Sequence, residues 1–225
     1  MHLFRLGYVL EGLCVLAALT AIEATRDAAQ AHPHVWATIR SELIYAPDGA
    51  VTAVRHSWTF DDMFSAFATT GLPKTNGTFT RQTLQPVAQV NVESLKEYAS
   101  FTYAKADGKR LTDPFTDPTG DYWLDYDPKT TALTLHFTLP FRHPVKAKSL
   151  QIEVYDPEFF IDFGFAKEKP ATLVGAPPRC SLTTDKPTDA NFPAEFFRLD
   201  QNLVTSEANI GMGASFANKI MVTCP

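Results

Sequence analysis

Val35-Trp36-Ala37-Thr38-Ile39-Arg40-Ser41-Glu42-Leu43-Ile44-Tyr45 and Val51-Thr52-Ala53-Val54-Arg55-His56-Ser57-Trp58-Thr59-Phe60, joined through Pro47-Asp48-Gly49, read as two strands and a turn. Both runs are rich in β-branched and aromatic residues, and Asp-Gly between such runs is a hairpin signal. A two-residue turn at Asp48-Gly49 sets a register in which paired residue numbers sum to 97, as 48 and 49 do. Under it Ile39 faces Trp58, Ala37 faces Phe60 and Trp36 faces Asp61. Because side chains alternate, His34, Trp36, Thr38 and Arg40 share one face. Asp61 falls on that face, diagonal to His34. A bulged residue in either strand would shift the arrangement.

Downstream, Asp61-Asp62 opens a short helical stretch through Ala68, with Asp61 as its N-cap. Leu72 to Leu84 resembles a degenerate EF-hand loop, since Asn76-Gly77-Thr78-Phe79 has the glycine turn and the following apolar residue. Leu72 and Thr83 stand where carboxylates are needed and Lys74 takes the third ligand position, so calcium is not expected there. A helix is predicted from Thr80 to Tyr98, with Leu84, Val87, Asn91, Leu95 and Tyr98 along one stripe and Pro86 near its start. Strands follow: one from Phe101 turning at Ala106-Asp107-Gly108, then Tyr122–Tyr126 and Leu133–Leu139. Leu150–Tyr155 and Phe159–Phe165 come next, separated by an Asp156-Pro157 turn. Pro170 to Pro178 reads as a loop, Cys180–Thr184 as a strand, Pro193–Leu203 as a short helix and Lys219–Cys224 as the last strand. The fold class is mainly β: an antiparallel β-sandwich-like domain with a helical insertion over about residues 61–98 that resembles a degenerate EF-hand.

Upstream lies a different kind of segment. Arg5 sits in a short basic start, Gly12 to Ile22 is apolar, and Ala29-Gln30-Ala31 has small residues where a signal peptidase needs them. The apolar run falls well short of the roughly 20 residues that span a bilayer. Cys14 follows Leu13 rather than a small residue, which argues against a lipid anchor. Residues 1–31 are therefore read as a cleaved signal peptide and 32–225 as one exported, periplasmic domain that does not span the membrane. Cleavage removes two cations and three anions from a chain of 225 residues and net charge -5. A mildly acidic domain without a basic run gives no support for nucleic-acid binding. Of the three cysteines, Cys14 leaves with the leader. Cys180 and Cys224 are expected to pair, since two cysteines without C-x-x-C spacing make a poor zinc site.

Cleavage after Ala31 makes His32 the first residue. A free amine and the imidazoles of His32 and His34 then lie within two residues of one another. Such nitrogens suit nickel, cobalt, copper and zinc, and ligand type does not choose among them. Pro33 has no backbone N–H, so a chelate through the second residue's deprotonated amide is closed to this chain. The predicted metal ligands are His32, His34 and Asp61, the last with helix capping as its rival role. His56 alternates with Val54, Trp58 and Phe60 and reads as a satisfied core histidine; His136 lies among threonines and reads as exposed; Asp156 reads as fixing a turn.

The ordered set of segments resembles a bacterial periplasmic family of unknown function, described as an uncharacterised periplasmic component of an ABC-type transport system. The likeness runs through His32-Pro33-His34, Ser57-Trp58-Thr59-Phe60-Asp61, Leu95-Lys96-Glu97-Tyr98 and Leu135-His136-Phe137-Thr138-Leu139-Pro140. It continues through Val154-Tyr155-Asp156-Pro157-Glu158-Phe159-Phe160, Gly175-Ala176-Pro177-Pro178-Arg179-Cys180 and Phe216-Ala217-Asn218. The resemblance implies a periplasmic accessory protein, often encoded beside permeases of the nickel/cobalt exporter type. A membrane metal permease is thus the implied partner.

No catalytic residue is predicted. H-E-x-x-H, a phosphate loop and G-x-S-x-G are all missing, and Gly213-Ala214-Ser215-Phe216-Ala217 only approaches the last. The expectation is a non-enzymatic metal-binding or metal-delivering protein. Its rivals are a metal-free adaptor docking on a transporter and a copper enzyme using the N-terminal histidine.

Overall fold

The computed structural model describes residues 34–118, 122–187 and 214–225. All belong to the second of the two units into which contacts divide the chain, His32–Pro225. The leader, His32, Pro33 and the helix expected over Pro193–Leu203 lie outside the described residues.

The hairpin forms from β1 (Val35–Tyr45) and β2 (Val51–Phe60), with Ile39 opposite Trp58 and Ala37 opposite Phe60 as the pattern requires. The route to that register differs from the expected one. Ala46 N–H donates to Ala50 C=O at 2.8 Å and Gly49 N–H to Ala46 C=O at 2.9 Å, so the loop has three residues, with Gly49 at φ +81°. Tyr45 therefore faces Val51, and an irregularity at Thr52 brings Ile44 opposite Ala53. The extra loop residue and the extra strand residue cancel. Every inward position of β1 from Val35 to Tyr45 is buried, while His34, Trp36, Thr38 and Arg40 are exposed.

Helix α1 (Asp62–Ala68) starts at Asp61, whose Oδ1 accepts the Phe64 N–H at 2.8 Å. The EF-hand likeness of the insertion is not confirmed. Thr75 and Thr78 exchange backbone hydrogen bonds at 2.8 and 3.1 Å across Asn76 and Gly77, both at positive φ, which is a tight two-residue reversal. Helix α2 (Arg81–Leu95) is capped by Thr80 Oγ1 and buries Leu84, Ala88, Val92 and Leu95. The stripe is rotated from the predicted one: Val87 and Asn91 lie on its flank, and Tyr98 falls beyond the helix, in the 3-10 stretch Lys96–Phe101. Ala99, Ser100 and Phe101 all take φ near +50°, turning the chain into the next strand.

The remaining strands are β3 (Thr102–Ala106), β4 (Lys109–Arg110), β5 (Trp123–Asp127), β6 (Ala132–Val145), β7 (Ser149–Val154), β8 (Ile161–Phe165), β9 (Ala171–Val174), β10 (Ser181–Asp185) and β11 (Asn218–Thr223). They form two sheets, ordered β5-β6-β2-β1-β8, with β9 also on β1, and β10-β11-β7-β3-β4. Two expectations are corrected. The sandwich is not wholly antiparallel, because β8 and β9 both run parallel to β1, along Val35–Ile39 and Ser41–Ile44 respectively. The stretch predicted as a loop from Pro170 contains β9. One extended pass of chain from Ile161 to Val174 thus lies along β1, interrupted around Lys169 at φ 46°. Its parallel sense needs a long return connection that no local signal announces.

The core lies between the sheets. Trp58, Leu135 and Phe137 from one sheet meet Ile152, Val154 and Ile220 from the other in one apolar cluster. Asn218 Nδ2 donates to Phe163 C=O, binding β11 to β8 across it. The expected disulfide between Cys180 and Cys224 closes the end of the second sheet, where β10 and β11 pair.

Candidate functional site

His34 immediately precedes β1 on the outward face of the first sheet. Its N–H donates to Phe160 C=O at 2.9 Å, and its ring packs on the Phe160 ring with centroids 4.9 Å apart. Trp36, next on the same face, remains 45% exposed. Asp61 caps α1 through Oδ1, while its Oδ2 accepts the Trp36 N–H at 2.8 Å and its own N–H reaches Trp36 C=O at 2.9 Å. The expected Trp36–Asp61 pairing is therefore present. Both carboxylate oxygens already hold backbone donors, leaving only their second lone pairs for a further ligand.

The parallel strand adds a residue that sequence reasoning missed. Asp162 is the register partner of Trp36 on β8 and shares its outward face. Its carboxyl is half-buried, and that burial raises its pKa above the usual carboxylate value. Among the described residues it has no hydrogen-bond or ion-pair partner. The signal in the sequence was one carboxylate within Phe159-Phe160-Ile161-Asp162-Phe163-Gly164-Phe165. Only the pairing of β8 with β1 brings it opposite Trp36, diagonal to His34 on the same face. Among the described residues, which do not include His32, no three His, Cys, Asp or Glu side chains gather as a metal cluster.

A second polar group, centred on β6, occupies the same outward face two strands from β1. His136 is not simply exposed, as its neighbours suggested. Ser57 lies 2.9 Å from Nδ1 and Asp125 Oδ2 lies 3.2 Å from Nε2, and the ring stacks on Trp123 at 4.6 Å. One neutral tautomer satisfies both contacts, with Nε2–H donating to Asp125 and Nδ1 accepting from the serine hydroxyl. Burial holds the His136 pKa down, against the opposing pull of Asp125. Ser57, His136 and Asp125 carry hydrolase residue types. Yet Ser57 sits in β2 between β1 and β6, where the two ladders consume the neighbouring backbone amides that an oxyanion would need.

The family described as "Protein of unknown function (DUF1007)" matches residues 15–224. The chain belongs to this family. No curated protein matches it. Among solved structures, acetylcholine-binding protein type 1 of Biomphalaria glabrata is similar over 88% of each chain, at 9% identity and a TM-score of 0.28. That likeness is too slight to carry an argument.

In this DUF1007 chain the segments that carried the resemblance serve identifiable physical ends. Asp156 is 3% exposed; its Oδ1 accepts Glu158 N–H, and its Oδ2 accepts the N–H groups of Phe160 and Ile161, each at 2.9 Å. It therefore fixes the turn that delivers Phe160 to His34 and starts β8. His56 is fully buried, with Ser41 Oγ 2.9 Å from Nδ1 and Thr102 Oγ1 3.3 Å from Nε2. Thr102 already donates to Ser100 C=O, so His56 Nε2–H must be the donor to Thr102 and Nδ1 the acceptor from Ser41. The core reading of His56 holds.

Burial lowers the His56 pKa from 6.5 to about 3. A folded-state pKa below the unfolded one means that the unfolded chain binds the extra proton. Stability is full above pH 6.5 and is lost as pH falls toward 3, at about 1.4 kcal/mol per pH unit. Asp48 and Asp127, held low by the Ala50 and Lys129 amides, lose their contribution only below about pH 3.8, whereas His136, also lowered by burial, loses stability with the same sign below pH 6.5, and Asp162, raised by burial, gains it as pH falls toward 3.8. Unfolding free energies from urea titrations between pH 6.5 and 4.5 should fall, and His56→Gln should reduce that fall by about 1.4 kcal/mol per pH unit, leaving the part due to the other groups. An imidazole NMR titration of His56 near pH 6.5 would defeat the prediction.

Proposed function

We propose that this protein is a periplasmic accessory component of a transition-metal transport system of the nickel/cobalt type, binding or delivering a divalent ion through its N-terminal His-Pro-His. The observation that carries this reading is Asp162, a half-buried carboxylate without a partner among the described residues, on the strand beside His34. An uncompensated carboxylate in such a place is costly, and a cation relieves the cost. The amine and ring of His32, the imidazole of His34 and one carboxylate form a mixed nitrogen–oxygen set that suits nickel, cobalt, copper or zinc. Asp162 fits this role better than Asp61, whose oxygens both hold backbone amides. A membrane permease is the proposed partner, and the leader is the proposed route to the periplasm.

Titration of the processed protein with the four ions tests the reading. Wild type should bind at least one of them, with affinity falling in acid as protons compete with the ion for the nitrogen ligands. His32→Ala/His34→Ala should lose binding, and Asp162→Asn should weaken it about tenfold or more while leaving the apo melting temperature unchanged or raised. Equal binding by wild type and the double variant would rule out this site, and no binding of any of the four ions by wild type would favour a metal-free adaptor. A mature N-terminus other than His32, seen by mass spectrometry, would remove the amine ligand.

A further inference from the structure

Asn76-Gly77 forms the tip of the tight reversal between α1 and α2, where the calcium-loop likeness left the pair without a role. We propose that this dipeptide is a modification site, at which Asn76 loses its side-chain amide by ring closure and hydrolysis, independently of the metal reading. Both residues are exposed. The Asn76 side chain and the Gly77 N–H have no hydrogen-bond partner among the described residues. Gly77 carries no side chain, and a Cβ built there would meet nothing within 4 Å, so its nitrogen is open to approach.

The other asparagines among the described residues lack these features. Asn91 lies within α2, donates from Nδ2 to Val87 C=O at 2.8 Å and precedes the β-branched Val92. Asn218 is fully buried, with Nδ2 donating to Phe163 C=O. Each has its amide held and its following nitrogen shielded.

At Asn76 the step balances with water as the only co-reactant. The Gly77 nitrogen attacks Asn76 Cγ; the N–Cγ bond forms, the Cγ–Nδ2 bond breaks, and ammonia leaves with the Gly77 proton. Water then opens the five-membered succinimide at either carbonyl, giving aspartate or isoaspartate at position 76. The turn sets the pace. Asn76 is at φ 50°, and the left-handed conformation directs the following nitrogen away from its own side chain, so closure waits for the turn to open. Only the two Thr75–Thr78 backbone bonds span the reversal, and exposed bonds of this kind open at small cost. Either product adds an anion two residues from Lys74, whose ammonium lies over the Phe79 and Tyr126 rings. Isoaspartate also lengthens the main chain by one carbon, which a two-residue reversal holding both bonds cannot absorb.

Incubating the folded, processed chain at mildly alkaline pH and mapping its peptides by mass tests this. Position 76 should exchange its amide NH2 for OH about tenfold faster or more than Asn91 or Asn218, with isoaspartate among the products. Native isoelectric focusing should show an added negative charge developing in wild type but not in Asn76→Gln, whose longer side chain closes the ring far more slowly. The proposal is overturned if position 76 keeps its amide as long as Asn91 does, or if it converts only once the chain is unfolded in urea. Equal charge drift in wild type and Asn76→Gln would overturn it as well.

Discussion

Asp156→Ala is expected to destabilise the domain by about 3–5 kcal/mol and to weaken metal binding at the N-terminus in the same stroke. The carboxylate is almost wholly buried and accepts three backbone N–H groups, from Glu158, Phe160 and Ile161. Truncation leaves those three donors unsatisfied away from water, and each such loss costs about 1–3 kcal/mol. Asp156→Asn should cost nearly as much despite its equal size, because its amide nitrogen cannot accept the hydrogen bonds that one of the two oxygens now holds. The functional half of the expectation follows from position. The bonds to Phe160 and Ile161 fix the entry to β8, which carries Asp162 to Trp36, while Phe160, just before the strand, packs on His34. Chemical denaturation measures the first effect and ion titration at a temperature where the variant is folded measures the second. A loss below about 1 kcal/mol would mean that solvent reaches those amides.

Breaking the disulfide should cost a comparable amount by another route. Cys180 and Cys224 close a loop of 44 residues, and the chain-entropy model assigns such a cross-link about 4 kcal/mol, exerted on the unfolded state. Cys180→Ser/Cys224→Ser, or reduction with a strong thiol, should therefore lower the urea midpoint by that equivalent. Native contacts should change little, since β10 and β11 still pair from Ser181–Thr223 to Asp185–Lys219. Metal affinity measured below the new transition should stay at the wild-type value, which separates this variant from Asp156→Ala. An unchanged midpoint would show that the denatured chain is already compact around this loop.

The sequence by itself determined the parts whose causes are local. Alternation placed β1 and β2 to the residue and put His34, Trp36, Thr38 and Arg40 outward, because burying one sheet face leaves no freedom of phase. Asp61 declared itself as a cap by standing before a helical run, Asp156 as a turn by standing before proline, and His56 as core by its place in an apolar alternation. The register of the hairpin was legible although its turn was not, since packing of Trp58 against the core fixes the pairing and the loop adapts around it.

Only the tertiary structure decided which strands lie side by side. A parallel partner leaves no mark on the strand it joins, so the pairing of β8 and β9 with β1, and with it the neighbourhood of His34 and Asp162, was invisible in the chain. The same holds for His136, which alternation alone left among exposed threonines. Its burial comes from Trp123 on β5, whose place beside β6 is a matter of sheet order. Side-chain phase is set within a strand by the period of the backbone. Adjacency between distant strands is set by the closure of the whole core, to which every segment contributes at once.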